Sequence, residues 1–386
     1  MEKTLLHTLN FHNVKLNVVN GQLKVNAPKG ALSTDLLNKI KSNKEYLIKL
    51  LTSNSSIPKT VVQESYPVTP AQQRLWIMSN FDGGNQAYNL TNELELTGDF
   101  NTEFFSKAFQ ALVAKYESLR TYFKQTEAGE LRQYIASIEE INISVEVHDV
   151  SAQPDRKDAL VAAHYQHRFD LSKAPLFKLQ IVKTGAENFL VLFNLHHIIG
   201  DGWSLELISK ELVAMYNMLV EGKTINTNNT AIQYKDYAVW LQEEKQQQQL
   251  VASKNYWLNR FETIPTLEIP TVKKRPSIKT YNGAAVSHQF SGDLYSKMQS
   301  YCKEQSISMF MALMAGINGV FYRYTNTTDI VLGTTVAGRE HPDVENQIGL
   351  FINSLPIRTT FNGAEGFKAL VNVQKENLVD AYKHQS

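Results

Sequence analysis

The sequence predicts an α/β fold in which a small N-terminal unit precedes a large domain. Hydrophobic residues make up 43% of the 386 residues and charged residues 20%, so the chain can bury cores for two or three packing units. Residues 1–51 hold eight lysines against three acidic residues, a net charge of +5 that leaves −4 for the remainder of a chain whose total is +1. Apolar segments of strand length and of helical period mix from residue 66 onward.

The N-terminal unit, residues 1–52, is predicted to fold as a helix, a β-hairpin and two further helices. Residues 14–19 and 22–27 alternate in polarity around Asn20 and Gly21, the pair that best tolerates the positive φ angles of a type I′ hairpin turn. Ser33 can cap the helix that follows. The apolar residues that predict the helices are Leu5, Leu6, Leu9, Leu36, Leu37, Ile40, Leu47, Ile48, Leu50 and Leu51.

A two-stranded hairpin is marginal by itself, so we expect it to pair with a strand of a partner, to dimerise, or both. Residues 53–65 are polar and contain a proline, as is typical of a linker. In the large domain, the apolar pattern predicts helices over 102–116, 204–219 and 307–324 and strands over 177–184, 188–196, 329–336 and 351–360. The helix over 307–324 is apolar almost all round, which predicts that it is buried.

The strongest candidate for a functional site lies where a buried strand meets a helix. Residues 190–195 form a nearly unbroken apolar run that ends at His196 and His197. Because strand side chains alternate between faces, the two histidines are expected to point in opposite directions, so that one can face a cavity. An imidazole has its ordinary pKa near neutral pH and can therefore take a proton from an attacking amine or alcohol.

The turn after the histidines contains Gly200 and Gly202 on either side of Asp201. The glycines allow a tight backbone path and the close approach of another chain or a cofactor arm. Asp201 can fix the turn or pair with an arginine, and Ser204 can cap the next helix. Two other interpretations remain open: a pair of ordinary core histidines, and a metal site, although zinc needs three or four ligands and this spacing supplies one usable histidine per face.

The segment HHIIGDGWS, residues 196–204, resembles the HHxxxDG signature of nonribosomal peptide synthetase condensation domains, members of the chloramphenicol-acetyltransferase-like superfamily. Further motifs similar to those of that family occur in order as TPAQQRLW, YESLRTYF, YKDYAVW and IGLFINSLPIR, at residues 69–76, 116–123, 234–240 and 348–358. Residues 1–52, with their hairpin and the segment APKGAL, resemble the TubC-type docking domains that open some synthetase subunits.

The resemblance implies two chloramphenicol-acetyltransferase-like lobes in a V, over residues 66–230 and 231–386. Family members continue after a stretch like residues 381–385 into a PFE motif, so the second lobe is expected to be incomplete. The implied reaction forms an amide bond between a donor acyl or peptidyl thioester and an acceptor aminoacyl thioester. Both would be carried on phosphopantetheine arms of carrier proteins, with no cofactor and no metal bound directly.

The resemblance also implies roles for residues at the motif. His197, the second histidine, would position and deprotonate the acceptor amine, while His196 supports packing. Asp201 would be structural, paired with Arg120 or simply closing the turn. Gly202 would offer a backbone N–H and room for the arm.

Other positions receive supporting roles. Asn353 and Ser204 are candidates for contact with the substrate or the phosphopantetheine arm. Arg74, Trp76 and Trp203 are expected to support the lobes, and Cys302 to lie in the core. The pattern around Ala71, Gln72 and residues 353–356 is similar to that of domains that join an L-configured donor to an L-configured acceptor.

The docking domain implies an upstream synthetase subunit as a partner, in addition to donor and acceptor carrier proteins and a possible homodimer. Its hairpin would receive the short C-terminal tail of that subunit, and the lysines suit an acidic tail. The docking residues that we expect are Val18, Asn20, Gly21, Lys24 and Val25.

Two further functions stay open, an epimerisation domain, which shares HHxxxDG, and a docking or scaffolding fragment that is inactive alone. A heterocyclisation domain would instead carry DxxxxD, which is absent from this sequence. The near-zero net charge argues against nucleic acid and membrane surfaces as partners. A single cysteine and the lack of a secretory start lead us to expect a cytoplasmic protein.

Overall fold

The computed structural model describes residues 14–19, 22–27, 34–45, 47–48, 56–227, 231–274, 276–277, 280–281 and 283–385. In the N-terminal unit, β1 (Lys15–Val19) pairs antiparallel with β2 (Gln22–Asn26), and α1 (Thr34–Ser42) follows. Its core consists of Val14, Leu36, Ile40 and Leu47. The hairpin strands and the first helix after them are thus confirmed. The predicted turn, the helix before the hairpin, the Ser33 cap, Leu50 and Leu51 lie outside the described residues.

The first lobe is built on two sheets. Its strands are β3 (Tyr66–Pro67), β4 (Asn89–Thr97), β5 (Thr121–Gln125), β6 (Leu131–Ile135), β7 (Glu146–Asp149), β8 (Phe177–Lys183) and β9 (Asn188–His196). The larger sheet has the order β4-β9-β8-β7, in which only β7 and β8 are parallel, and the smaller has the order β3-β6-β5. The strands predicted over 177–184 and 188–196 are confirmed within one residue.

Helices cover both faces of the larger sheet, which explains the apolar run that leads to the histidines. The helices of this lobe are α2 (Pro70–Ser79), α3 (Gly84–Ala87), α4 (Thr102–Lys115), α5 (Arg156–Tyr165) and α6 (Gly202–Val220). Residues of α4 and α6 pack on one face in the main core, and Leu160 and Val161 of α5 pack on the other. Every side chain from Phe189 to His196 is buried as a result.

The second lobe contains a two-stranded antiparallel sheet with helices packed against it. Its elements are α7 (Tyr234–Trp240), α8 (Glu244–Arg260), α9 (Gly292–Gln305), α10 (Met309–Thr325), β10 (Asp329–Val336), β11 (Asn353–Thr360) and α11 (Phe367–Lys383). Cys302 lies in the core with residues of α10 and α11, as expected. The prediction that the helix over 307–324 is buried on all sides is wrong. One face of α10 is exposed, because Phe310, Leu313, Ile317, Val320 and Tyr324 are 40–70% accessible.

The predicted linker is docked to the large domain over part of its length. Ile57 is 2% exposed and belongs to an apolar cluster with residues of both lobes, among them Leu75 and Phe351. The Ile57 N–H donates to Asp343 at 2.8 Å, and the Thr60 N–H donates to Asp236 at 2.9 Å. Residues 56–60 are therefore attached to the large domain, because one apolar side chain and two backbone donors find partners there.

Candidate active site

His196 ends β9 and holds the turn that follows it. Its ring is completely buried, and its Nδ1 accepts the N–H of Ile198 at 3.2 Å. Its Nε2 lies 3.4 Å from the hydroxyl of Ser79, which itself donates to a backbone carbonyl of α2. Burial, together with the neighbouring charge of His197, lowers the pKa of His196 to about 3. His196 is therefore neutral near pH 7 and caps the short 3₁₀ turn His197–Ile199.

His197 occupies the first position of that turn in a different environment. Its side chain is half-buried, whereas that of His196 is fully buried. The His197 N–H donates to the carbonyl of Tyr88 at 2.8 Å, which fixes the backbone. The Nδ1 atom is buried and has no hydrogen-bond partner among the described residues. Because Nδ1 is enclosed by the protein, a ligand can meet the imidazole only at the exposed part of the ring.

Asp201 begins helix α6 as its N-cap. Its Oδ1 accepts the N–H of Ser204 at 2.8 Å and the Ser204 hydroxyl at 2.7 Å, and its Oδ2 accepts the N–H of Phe351 at 3.0 Å. The prediction that Ser204 caps the helix is wrong, because Asp201 satisfies the free N–H groups of the first turn. The completely buried carboxylate has its bonds inside the protein and none left for a substrate.

Arg339, three residues after the end of β10, is the ion-pair partner of Asp201. Its Nη2 lies 3.0 Å from Oδ1 of Asp201, and the two side chains are 3% and 0% exposed. The predicted pairing of Asp201 with Arg120 is wrong. The guanidinium of Arg120 stays in the first lobe, where it donates to the carbonyls of Val113 and Ala136.

The sequence contains one signal for this partner. Arg339 follows Gly338, which has a φ of 64° and leaves no room for a Cβ, since a Cβ there would lie 1.9 Å from the carbonyl oxygen of Phe351. A sharp turn at the end of a strand therefore aims the arginine at the other lobe. Because its partner lies 138 residues away, the spacing of the sequence does not reveal the pair.

Residues 339–352 form a segment, here called the clamp, that joins the second lobe to the start of α6. Arg339 donates to the carbonyls of Val344 and Gln347 at 2.6 and 2.7 Å. The guanidinium of Arg339 lies over the ring of Phe351, and its Cζ atom is 4.1 Å from the centroid of that ring. The half-exposed Trp203 supports the clamp by donating its indole N–H to the carbonyl of Glu345 at 3.0 Å.

Ser204 belongs to this arrangement and is not available to a substrate. Its side chain is completely buried, and its hydroxyl also bonds to the backbone of Gly349, with the Gly349 N–H at 3.1 Å and its carbonyl at 2.9 Å. The predicted contact of Ser204 with the substrate or the phosphopantetheine arm is therefore wrong, since burial puts the hydroxyl out of reach. Gly202 is exposed, and a Cβ built there would meet no atom within 4 Å, so space is open beside the turn.

Arg74 and Asn353 meet between the lobes. The Nη2 of Arg74 lies 3.5 Å from the Oδ1 of Asn353, and Asn353 also donates to the carbonyl of Gln385 at 2.8 Å. Trp76, in α2, is partly buried against the main core. Among the described residues no three metal-ligating side chains cluster, and no described helix is long and apolar enough to cross a membrane.

Comparison with known proteins gives two family matches. The family model called Condensation domain matches residues 62–386, and the one called TubC N-terminal docking domain matches residues 3–52. Bacitracin synthase 1 of Bacillus licheniformis is 34% identical over 85% of this chain, which spans 6% of that protein. Gramicidin S synthase 2 of Aneurinibacillus migulanus is 34% identical over 83% of this chain, which spans 7% of it. The chain thus spans less than a tenth of the length of these relatives.

Solved structures with the same fold are more distant in sequence. The X-domain from teicoplanin biosynthesis aligns with a TM-score of 0.75 and 21% identity, over 86% of this chain and 73% of the other. The cyclization-docking bidomain of EpoB from Sorangium cellulosum aligns with a TM-score of 0.73 and 20% identity, over 99% and 77%. These likenesses establish the two-lobed α/β fold.

Proposed function

The chain belongs to the condensation-domain family over residues 62–386, and from that membership we propose that it joins a donor acyl or peptidyl thioester to an acceptor aminoacyl thioester through an amide bond. The observation that carries the proposal is the imidazole of His197, which is partly exposed directly after the end of β9 and makes no side-chain hydrogen bond to any described residue. Its neighbours His196 and Asp201 are engaged inside the protein, so His197 is the group of the motif that remains for a substrate.

In the proposed reaction, the amine nitrogen of the acceptor attacks the thioester carbonyl carbon of the donor. A C–N bond forms, the C–S bond breaks, and the proton that the amine loses passes to the sulfur of the departing pantetheine thiol. His197 would hold the amine in line and carry that proton. The phosphopantetheine arms of carrier proteins would bring both thioesters, and the open space beside Gly202 is where we place one of them.

Orientation is proposed to contribute more than basicity. Correct placement of two reactants lowers a barrier by about 7–11 kcal/mol, whereas proton transfer by a positioned base contributes roughly 10²–10⁴-fold in rate. The bond from the His197 N–H to Tyr88 and the cap that His196 provides hold the turn in one position. Asp201 and Arg339 act indirectly, because they fix the start of α6 against the clamp.

The test is peptide transfer between loaded carrier proteins with the His197→Ala variant. We expect the rate to fall by about 10²-fold or more, because both the positioning and the proton transfer are lost. His148→Ala, at a partly exposed histidine on β7, is the matched control and should transfer at the normal rate. Normal transfer by His197→Ala would refute the proposal. If the unchanged chain inverts the configuration of a tethered residue and does not transfer it, the activity is epimerisation instead.

We further propose that the hairpin of the N-terminal unit receives an acidic C-terminal tail from an upstream subunit. The family match to residues 3–52 supports a docking role, and β2 presents Lys24 and Val25 as exposed side chains. Among the described residues, neither outer edge of the β1-β2 pair has a further strand, so an added strand can bond there. Val18 lies in β1, while Asn20 and Gly21 are outside the described residues.

A binding titration of the full chain with the tail peptide of the adjacent upstream subunit tests the docking proposal. Lys24→Glu places a negative charge on the hairpin and should weaken binding by about tenfold. Lys41→Glu makes the same charge change on an exposed position of α1 and serves as the control. Equal affinities for the two variants would contradict docking at the hairpin, and size measurements on the same samples would report any homodimer.

A further inference from the structure

We infer that a cavity on the His196 side of the site binds a small organic anion with an apolar body, such as an acyl group that carries a carboxylate. The cavity has a volume of about 690 Å³ and lies wholly in the first lobe, between the end of α2, the end of β5 and residues 168–172. Pockets for small molecules span about 300–1,000 Å³, so this volume suits one.

The apolar part of the wall is aromatic. Trp76, Phe123 and Phe169 line the cavity, together with Leu171. Trp76 and Leu171 are partly exposed and supply the apolar surface that a ligand can reach, while Phe123 and Phe169 are buried in the main core and hold the wall in place. Large rings held by a core offer apolar contact area at little cost in conformational entropy, which favours a ligand with an aliphatic or aromatic body.

The charged part of the wall is net positive. Arg168 lines the cavity and has no ion pair among the described residues. Lys124 also lines it, with its ammonium 4.9 Å from the centre of the Tyr122 ring. The carboxylate of Asp170 is already used, because it accepts the N–H and hydroxyl of Ser172 at 3.0 and 2.6 Å and pairs with Lys173 at 3.2 Å. A guanidinium beside apolar rings favours a carboxylate ligand.

The wall is pre-formed by reciprocal hydrogen bonds. The amide of Asn85 donates to the carbonyl of Phe169 at 3.0 Å and accepts its N–H at 3.1 Å. Asn89 donates to the carbonyl of His167 at 2.7 Å. This bond fixes the chain two residues before Phe169. A cavity whose walls are bonded in place loses little free energy to ordering when a ligand enters.

His197 is not among the residues that line the cavity, whereas a residue in contact with His196 is. Ser79, at its wall, has its hydroxyl 3.4 Å from Nε2 of His196, and the Phe169 ring lies 6.2 Å from the His196 ring. A ligand in the cavity would therefore contact the supports of His196. The site thus adds a second recognition element next to the proposed catalytic turn.

Calorimetric titration of the full chain with hexanoate, and with hexanamide as the neutral analogue, tests the inference. We expect hexanoate to bind more tightly than hexanamide, and Arg168→Gln to weaken hexanoate binding by about tenfold. Arg323→Gln removes the same charge from an exposed position of α10 and should leave binding unchanged. Asn80→Trp, at an exposed position that lines the cavity, should abolish binding by filling the space.

Absence of hexanoate binding to the unchanged chain would overturn the inference, as would equal binding by Arg168→Gln and Arg323→Gln. The anion can belong to a tethered substrate or to a free molecule, and a second measurement separates these sources. If it is tethered, Arg168→Gln lowers the transfer of glutamyl relative to leucyl groups. If it is free, that ratio is unchanged while hexanoate binding is still lost. The transfer measurement rests on the proposed function, whereas the titration does not, so the two fail independently.

Discussion

His196 and His197 show how one strand end gives two identical side chains different properties. Alternation along the strand predicted opposite directions for the two side chains, but the strand ends at His196 and His197 begins a 3₁₀ turn, so alternation does not account for their difference in burial. The sequence could not predict that Nδ1 of His196 accepts the Ile198 N–H, since that bond depends on a 3₁₀ turn for which the residue pattern gives no signal. The low pKa of His196 was not predictable from residue type either, because it results from burial in the tertiary fold.

The depressed pKa of His196 predicts a pH dependence of stability. An unfolded histidine has a pKa near 6.5, and the folded value is about 3. Between these values the unfolded chain binds a proton that the folded chain does not, so the free energy of unfolding falls as the pH falls, by about 1.4 kcal/mol per pH unit. Above pH 6.5 the two states bind equally and the contribution of this group vanishes.

Urea unfolding of the wild type and of His196→Asn between pH 7 and 5 measures this contribution. We expect the variant to lose less stability over that range, by about 2 kcal/mol. His288→Asn, at an exposed histidine, is the control and should retain the slope of the wild type. Parallel slopes for the wild type and His196→Asn would show that His196 is not held neutral.

At the scale of elements, strand β9 and helix α6 were predicted within two residues, because both have long apolar patterns. The junction between them was not, since Asp201 and Ser204 are both good capping residues and the sequence does not rank them. The structure selects Asp201 because its other oxygen accepts the N–H of Phe351 from the clamp. The sequence analysis named Arg120 as the partner of Asp201 and did not consider Arg339, because contacts between lobes depend on the tertiary fold.

A double-mutant cycle tests the choice of partner. We expect Asp201→Asn and Arg339→Met to be coupled by about 1–3 kcal/mol in the free energy of unfolding, because each leaves a buried charge without its partner. The cycle of Asp201→Asn with Arg120→Met should give a coupling within about 0.5 kcal/mol of zero. Chemical denaturation of the single and double variants supplies both values. A larger coupling with Arg120 would make Arg120 the partner of Asp201 in solution.

At the scale of the whole molecule, the sequence predicted a small unit followed by a large two-lobed domain, and the separate cores agree with that order. It did not predict that residues 56–60 join the large domain, because the few apolar residues of this polar stretch have no periodicity that would single out Ile57. In the fold, Ile57 completes a cluster with Ile232, Val344 and Phe351. That cluster supports the clamp, because Val344 and Phe351 belong to both.

The buried position of Ile57 predicts that this residue stabilises the large domain. Ile57→Ala should lower the free energy of unfolding by about 2–4 kcal/mol, because it removes a side chain that is 2% exposed and leaves a cavity. Val62→Ala, five residues later and at a side chain that is 92% exposed, should change it by less than about 0.5 kcal/mol. Urea unfolding of both variants measures these changes. Equal, small effects would show that Ile57 does not stabilise the large domain. Because Phe351 both packs in this cluster and donates its N–H to Asp201, a loosened cluster should also weaken the hold of the clamp on the start of α6.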